Sequence, residues 1–392
     1  MQKGIPLFTK VVVSWALASL LLFFYSFTQV SLSLTLTSVG IWQTIQKAFL
    51  NIGYFQRPAS TVLYIGIITF LFILYIWLLI IVRRGLLSVR HLWKLIFMVS
   101  LVLVFSYPAF SNDIFNYMFT AKTILVYHKN PYAVIPLDFL GFDPWLSFLH
   151  WTHLPSAYTP VWIALTLPSY LLGFGYFLPI MWNMKILVAL FYVGAIWLIK
   201  KIVTELDPTK AALSMAIFAF NPLVLVESLV SAHNDVTMMA LALLAMYVFL
   251  KQKPLAAFFW LSLSIGLKFM TVFLLPVVLF KWNRVLALAA MALGLTVVLF
   301  QREILPWYLL WVLPFVALLP RNLSLIILSG GISLGLLLRY APFLYYGHWD
   351  SPVPVIKLWV TGVPIVVALL LAVLMGNLPT ARRFFRLKSR LK

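Results

Sequence analysis

Apolar runs close to 20 residues long recur along this chain, and no other feature constrains its fold as strongly. Three of them cover residues 11–32, 61–82 and 354–375. Inside lipid the backbone must satisfy its own hydrogen bonds, which leaves only helices or closed barrels. The runs lack the alternating polarity of barrel strands. The sequence therefore predicts an all-α fold, a polytopic transmembrane helical bundle.

The composition agrees with a membrane protein and excludes several functions. Charged residues make up 10% of the 392 positions, against roughly one-quarter in a soluble domain. We therefore interpret residues 1–392 as a single integral membrane domain. Its first apolar run is predicted to be a retained helix, because it lacks a small-residue cleavage site. The absence of cysteine excludes thiolate nucleophiles, cysteine metal ligands and disulfides.

Short basic clusters between the apolar runs contribute to a net charge of +20. In a membrane protein such clusters indicate topology and contact with anionic membrane lipids, so nucleic acid is not an expected partner. The positive-inside rule places them in the cytoplasm, together with a basic tail at 377–392. The clusters are Arg83, Arg84, Arg90 and Lys94; Lys200 and Lys201; Lys251 and Lys253; and Lys281 and Arg284.

Strict alternation of every run across the membrane cannot satisfy this placement, because basic clusters flank both ends of the run at 255–280. Broken or re-entrant helices resolve the conflict, and a proline or a charge at mid-depth marks them. The candidates are 160–177, interrupted by Pro168, and 255–280, interrupted by Gly266 and Lys268. We predict about 10 to 13 membrane segments with one or two broken helices. The alternative is that one candidate is a tilted full span.

Polar residues collect on the opposite, non-cytoplasmic side of this predicted topology. The stretch 111–159 is too long for a simple connection, so we predict an outer loop with a role of its own. Three groups of motifs lie in this loop or at helix ends on the same side. They are Ser111-Asn112-Asp113 with Asn130-Pro131-Tyr132 and Tyr158-Thr159-Pro160; Asn221-Pro222-Leu223 with Glu227 and His233-Asn234-Asp235; and Pro306-Trp307-Tyr308, which follows Arg302.

In their order along the chain and their position on one side of the membrane, these motifs resemble those of the GT-C superfamily of polyprenyl-phosphate-sugar-dependent glycosyltransferases. Within it they look closest to the prokaryotic polyprenyl-phosphomannose-dependent mannosyltransferases. In that family an aspartate near the start of an outer loop precedes an Asn-Pro-Tyr element, as Asp113 precedes Asn130 here. Tyr158-Thr159-Pro160 stands where the family often has Tyr-Gly-Pro. Two spans precede the helix that leads into Asp113, where many members have one, so the subfamily and the acceptor are not assigned.

The resemblance implies a multi-pass membrane hexosyltransferase in a prokaryotic plasma membrane, with its active site on the outer face. Such an enzyme transfers a sugar from a polyprenyl-phosphate sugar donor to a glycan or lipid-linked acceptor. The resemblance favours mannose as the sugar. Asp113 is then the candidate catalytic general base, since a carboxylate must take the proton of the acceptor hydroxyl. From the residues alone, the alternative is that Asp113 caps the following helix.

The same motifs supply candidate substrate-binding residues. Lys268 and Arg302 are the candidates for the donor phosphate, although Arg302 could instead extend to the membrane interface. Glu227 falls within a membrane segment, where it either contributes to donor binding or pairs with Lys185 or Lys268. The substrate-binding set is Tyr117, Asn130, Tyr132, Tyr158, Glu227, His233, Asn234, Asp235, Lys268, Arg302 and Trp307.

The sequence does not assign a cofactor. His233 and Asp235 could orient acceptor hydroxyls or bind a divalent metal, but two side chains are too few to predict a metal site. Aromatic residues such as Trp307 suit either an interfacial belt or stacking on sugar rings. The chain has no Gly-rich phosphate loop and no Walker pattern, so a nucleotide-sugar donor is not expected.

Two other functions fit part of the pattern. A transporter or a flippase for lipids or lipid-linked sugars would also use broken helices and membrane carboxylates. It would need access from both sides and commonly shows repeated halves, whereas the polar groups here favour one face. A noncatalytic assembly partner is the third possibility, and it predicts no deep polar cavity around Asp113.

Overall fold

The computed structural model describes residues 5–377 as a bundle of helices, with no β-strand among them. The predicted all-α class is therefore confirmed. The predicted basic tail begins at residue 377, and all of it beyond that residue lies outside the described residues. In chain order the α-helices are α1 (Leu7–Ser26), α2 (Gly40–Leu50), α3 (Arg57–Arg83), α4 (Val89–Val104), α5 (Asp113–Leu125), α6 (Pro160–Leu171), α7 (Phe177–Leu206), α8 (Ala211–Ala219), α9 (Pro222–Leu225), α10 (Asp235–Leu250), α11 (Pro254–Leu267), α12 (Leu275–Leu279), α13 (Arg284–Leu299), α14 (Leu313–Ala317), α15 (Leu323–Leu338), α16 (Tyr340–Tyr346) and α17 (Val353–Asn377).

The helices include enough long apolar segments to make this a multi-pass membrane protein. A sixth candidate span, besides five unbroken ones, is the bent pair Pro208–Ala219 and Pro222–Val230, whose halves meet at 59°. The described residues also contain five shorter apolar helices of 10–17 residues, two of which, Pro254–Leu267 and Phe269–Leu279, lie in the predicted broken run 255–280. The unbroken candidates are Leu7–Gln29, Arg57–Arg83, Phe177–Leu206, Leu323–Tyr346 and Val353–Met375.

The positions at which helices break agree only in part with the sequence prediction. Lys268 has an extended backbone (φ −157°, ψ 125°) and separates α11 from a 3-10 helix at Phe269–Leu274, so the interruption predicted there is observed. Pro168 lies inside α6 without ending it. The bend before α9 was not predicted: there the Asn221 side chain accepts a hydrogen bond from the Leu223 amide at 2.9 Å and caps the new helix.

The centre of the bundle is formed by α8, α9 and α10. A π-helical turn, Val226–Val230, joins α9 to the segment that leads into α10. Helix α7 packs against α8 and α10, and α11 packs against α10 from another side. Nearly every residue from 211 to 243 is buried as a result. This central position places Glu227, His233 and Asp235 in the interior of the protein.

A buried lysine ties α7 to the end of α4. Lys185 lies on α7 with no exposed surface. Its Nζ donates hydrogen bonds to the Leu103 carbonyl at 3.2 Å, to the Ser106 hydroxyl at 2.8 Å and to the Ser106 carbonyl. A lysine ammonium has three donors, so all of them are used. The contact fixes the chain just before the segment that leads to Asp113.

The two ends of the bundle can be identified by the residues that lie there. Helix α7 begins where Phe177 stacks on Phe115, close in the chain to Asp113. It ends at Leu206, which lines a cavity together with Lys281. We call these the Asp113 end and the basic end. Charged side chains at the basic end include Lys281, Arg284, Lys251 and Arg321.

This arrangement predicts the side from which each end can be labelled. Asp138→Cys, in the 111–159 loop, should react with a membrane-impermeant maleimide added outside intact cells. Arg321→Cys, whose native side chain is 76% exposed at the basic end, should react only after permeabilisation. The natural chain has no cysteine and serves as the blank. Labelling of Asp138→Cys from the cytoplasmic side alone would contradict the predicted topology.

Candidate active site

The Asp113 carboxylate faces the bundle interior. Asp113 is the first residue of α5, and the residue before it, Asn112, makes no side-chain capping hydrogen bond. One carboxylate oxygen of Asp113, Oδ2, lies 3.3 Å from His233 Nδ1, and the side chain is 21% exposed. Asp113 therefore contacts a different part of the chain, and its carboxylate remains accessible.

His233 lies between two carboxylates. Its Nε2 atom is 3.2 Å from Glu227 Oε2, while Nδ1 faces Asp113. The other oxygen of Glu227 accepts a hydrogen bond from the Tyr340 hydroxyl at 3.0 Å. Trp307 stacks on the imidazole with ring centroids 4.0 Å apart and an angle of 19°. The result is a connected row of side chains from Asp113 through His233 and Glu227 to Tyr340.

A second row contains the other buried carboxylate, Asp235. The Lys268 ammonium lies 2.7 Å from Asp235 Oδ1, and the Trp311 indole donates to the same oxygen at 2.5 Å. Asp235 has no exposed surface, whereas the Lys268 side chain is 30% exposed. The break between α11 and the next helix directs Lys268 toward this carboxylate.

Neither of the lysine pairings considered for Glu227 is formed. Lys268 contacts Asp235, and Lys185 donates to the carbonyls and hydroxyl at the end of α4. The partners of Glu227 are His233 and Tyr340 instead. A histidine can serve here because it follows Glu227 on the same chain segment and can carry a positive charge between two carboxylates.

The surroundings of Asp113 favour its ionised form. Burial alone would raise the pKa of Asp113, but contacts with His233 and the charge of Lys268 outweigh burial and hold the pKa below its usual value. Asp113 is therefore a carboxylate at neutral pH. This is the form that can accept a proton from a hydroxyl group.

The three predicted tyrosines of this region, Tyr117, Tyr132 and Tyr158, contact one another beside Asp113. Tyr117 is buried and packs edge-on against Tyr158, with ring centroids 4.7 Å apart. Tyr132 donates its hydroxyl to the Tyr158 carbonyl at 2.6 Å, and Asn130 accepts from the Tyr132 amide at 3.0 Å. The Asn-Pro-Tyr segment thus supports the backbone at Tyr158, while Tyr158 itself approaches Asp113.

Asn234 and Arg302 are the remaining predicted substrate-binding residues near these rows. Asn234 is buried and directly precedes Asp235. Arg302 is exposed and interacts with Tyr308, whose ring also lies 6.0 Å from the Lys268 ammonium. Lys268 and Arg302 therefore share Tyr308 as a neighbour.

Two cavities flank residues 112 and 113. One, of about 300 Å³, is lined by Asp113, Asn116 and Tyr158. The other, of about 530 Å³, is lined by Asn112 and Trp307, and Trp151 contributes to the walls of both. A ligand in the smaller cavity can contact Asp113 directly. Cavities lined by aromatic rings and polar side chains suit sugars, since rings stack on sugar faces.

Within residues 5–377, no group of three or more histidine, cysteine, aspartate or glutamate side chains could hold a metal ion. His233 and Asp235 have different partners, Asp113 with Glu227 in the first case and Lys268 in the second. The observed arrangement is one of paired charges rather than converging ligands.

Two residues of this region were not among the predicted site residues. Tyr340 and Trp311 each hold a buried carboxylate oxygen. The motif that contains Trp307 extends to Trp311, for which the sequence suggested interfacial anchoring or stacking on sugar rings. Tyr340 lies more than 100 residues from Glu227, and no motif marks it. Two further cations, Arg57 and Lys357, line the larger cavity from spans far apart in the chain.

Comparison with known protein families gives a match over most of the chain. The model of a family described as "Alpha-(1->6)-mannopyranosyltransferase, N-terminal domain" matches residues 14–284, more than half of the chain. The matched segment includes every predicted site residue except Arg302 and Trp307. No curated protein and no solved structure matches the chain.

The pair between Asp235 and Lys268 should contribute to stability. Asp235→Asn keeps an acceptor for Trp311 but leaves the lysine without its counterion. We expect a loss of about 2 kcal/mol in the free energy of unfolding, below the value for fully buried pairs because Lys268 is partly exposed. The measurement is thermal or denaturant unfolding of the purified protein in detergent.

The matched control is Glu205→Gln, which breaks the pair with Lys251 at the basic end, where both side chains are 43% exposed. This change should alter stability much less, because exposed ion pairs contribute little. Equal effects of the two substitutions would show that the Asp235 pair is not a stabilising contact.

Proposed function

Because the chain belongs to the alpha-(1->6)-mannopyranosyltransferase family, we propose that it transfers mannose from a polyprenyl-phosphate-linked donor to a glycan or lipid-linked acceptor, with Asp113 as general base. Family membership confirms the predicted resemblance to mannosyltransferases and makes the protein a hexosyltransferase. The observation that carries the proposal for the site is an ionised, accessible carboxylate in the wall of a cavity.

In the proposed reaction, an acceptor hydroxyl oxygen attacks the anomeric carbon of the donor sugar. The bond from this carbon to the phosphate oxygen breaks, and the polyprenyl phosphate leaves with the bonding electrons. Asp113 takes the proton from the hydroxyl as the new bond forms. No metal or further reactant is needed to balance these steps.

Two cations are available for the leaving phosphate. Lys268 and Arg302 approach the same tyrosine, Tyr308, from different segments, and Lys268 is partly exposed. Charged hydrogen bonds to a phosphate are stronger than neutral ones and would favour its departure. Asp235 has the role of orienting Lys268 in this proposal, since it holds the ammonium at 2.7 Å.

His233 positions the proposed base. The imidazole is held by Glu227 on one side and by the face of Trp307, so its contact with Asp113 has little freedom. A base fixed in this way is held in a reactive orientation before substrate arrives. The buried Glu227 compensates the charge that His233 carries between the two carboxylates.

The charge distribution supports an active site on the non-cytoplasmic face, which in a prokaryotic cell is the outer face of the plasma membrane. Asp113 and its neighbours lie at the end of the bundle opposite Lys281, Arg284 and Lys251. Basic residues are enriched on the cytoplasmic side. Donor lipids would reach the site from the bilayer, with the sugar at headgroup level.

The main alternative, transport or lipid flipping, receives less support. Both cavities that contain polar residues next to Asp113 lie at one end of the bundle. Residues 211–243, in the centre, are nearly all buried. A transport pathway would have to pass through this packed segment, whereas an enzyme needs access from one side only.

The role of Asp113 is tested by Asp113→Asn, which keeps the size of the side chain but removes its basicity. We expect a loss of about 100- to 10,000-fold in turnover, the range typical of general base catalysis. The assay follows transfer of labelled mannose from polyprenyl-phosphomannose to a panel of glycan and lipid-linked acceptors. The variant should bind donor normally.

Asp138→Asn is the matched control for this experiment. Asp138 belongs to the same loop but caps a local turn, with Oδ2 accepting from the Ile135 amide at 2.9 Å. It should retain activity. Near-normal turnover by folded Asp113→Asn would remove Asp113 as the base and leave Asp235 as the next carboxylate to test.

Arg302→Gln tests the donor-phosphate site with little risk to folding, because Arg302 is exposed. Loss of a charged hydrogen bond should raise the KM for donor about 10-fold while the KM for acceptor stays unchanged. Substitution of its exposed neighbour, Gln301→Ala, is the control. A change confined to the acceptor KM would place Arg302 on the other substrate.

A further inference from the structure

The larger cavity contains positive charges that the proposed reaction does not use. Its walls include Arg57, Arg339 and Lys357, together with one carboxylate, Glu303. Glu303 forms ion pairs with Arg339 and with Lys357. Among the ion pairs of residues 5–377, none joins Arg57 to a carboxylate. Three cations therefore face one anion in a volume of about 530 Å³.

These cations are held in place rather than free to extend into water. The Arg57 guanidinium lies over the Tyr54 ring, 5.4 Å from its centre, and against the backbone of Gly347. A Cβ at position 347 would lie only 2.5 Å from the Arg57 guanidinium carbon, so this contact requires glycine. Lys357 lies over the Trp349 ring at 4.7 Å.

Arg339 is the most buried of the three cations. Its side chain is 7% exposed, and it donates to the Thr361 hydroxyl at 3.1 Å besides pairing with Glu303. A buried arginine beside a second and a third cation is unfavourable unless anions compensate them. A single carboxylate, itself 53% exposed, supplies only part of that compensation.

The cavity lies where lipid headgroups are expected. Arg57 is the first residue of the span α3, and Lys357 lies four residues into the span α17. Only 17% of the apolar window of α17 is buried inside the protein, so this side of the cavity borders lipid. Phe343 and Leu344 add apolar surface to its walls. Cations at the end of a span meet the phosphates of the bilayer surface.

From these observations we propose that the cavity binds a phosphate carried by a membrane lipid, with Arg57, Arg339 and Lys357 as its cations. Guanidinium and ammonium groups are the usual partners of phosphate. The lipid chain extends along α17 into the bilayer, and the headgroup side faces Asn112 and Trp307, next to Asp113. The phosphate belongs either to a polyprenyl phosphate or to a glycerophospholipid, and the experiment below separates these sources.

The test measures lipid binding by the purified full-length protein, without turnover. The probes are a polyprenyl monophosphate, phosphatidylglycerol and uncharged diacylglycerol. The double variant Arg57→Gln with Lys357→Gln should raise the Kd for at least one phosphate lipid about 10- to 100-fold and leave diacylglycerol binding unchanged. Weaker binding of polyprenyl phosphate alone identifies a donor-type lipid, and weaker binding of phosphatidylglycerol identifies a bilayer phospholipid.

The control is Arg321→Gln with Lys251→Gln, which removes the same charges at the basic end. The proposal would be overturned if the Arg57 and Lys357 double variant bound both phosphate lipids as tightly as the control does. It would also be overturned if that variant lost diacylglycerol binding to the same extent as phosphate-lipid binding. If the double variant does not fold, Arg57→Gln alone is judged by the same comparison. Because no sugar transfer is measured, an inactive Asp113→Asn protein should still bind these lipids, which separates this inference from the proposed function.

Discussion

Glu227 and Asp235 are carboxylates without exposed surface in the centre of an apolar bundle. An unpaired charge at such a place costs several kcal/mol, so each must have partners. His233 and Tyr340 supply them for Glu227, and Lys268 and Trp311 supply them for Asp235. Three of these partners, Tyr340, Lys268 and Trp311, come from distant segments of the chain. Satisfying two charges therefore brings together the elements that surround Asp113.

Irregular backbone makes these pairings possible. Residues 254–279 do not form one continuous helix, because the backbone is extended at Lys268. This extended residue turns the Lys268 side chain toward Asp235. A π-helical turn at Val226–Val230 similarly precedes the non-helical residues that include His233. Such backbone is stable at membrane depth only when protein surrounds it, which the burial of residues 211–243 provides.

Sequence reasoning predicted the helical class, the break at Lys268 and the grouping of Asp113 with His233, because hydropathy and motif order are local properties of the chain. For Glu227 it left open either donor binding or a pair with Lys185 or Lys268, and the structure contains a histidine and a tyrosine as partners in place of a lysine. It also missed the cations of the larger cavity, including Arg57. Contacts between residues hundreds of positions apart leave no periodic pattern, so only the assembled bundle reveals them.

The anchor formed by Lys185 has a consequence for mutational tolerance. Its Nζ meets three oxygens at the end of α4, and an apolar substitution would remove all three hydrogen bonds, including the one to the Ser106 carbonyl. The aliphatic residues around it can exchange for one another at modest cost, since only volume matters. In a deep mutational scan, position 185 should therefore stand out as less tolerant than the aliphatic positions of its helix, although it touches neither of the cavities next to Asp113.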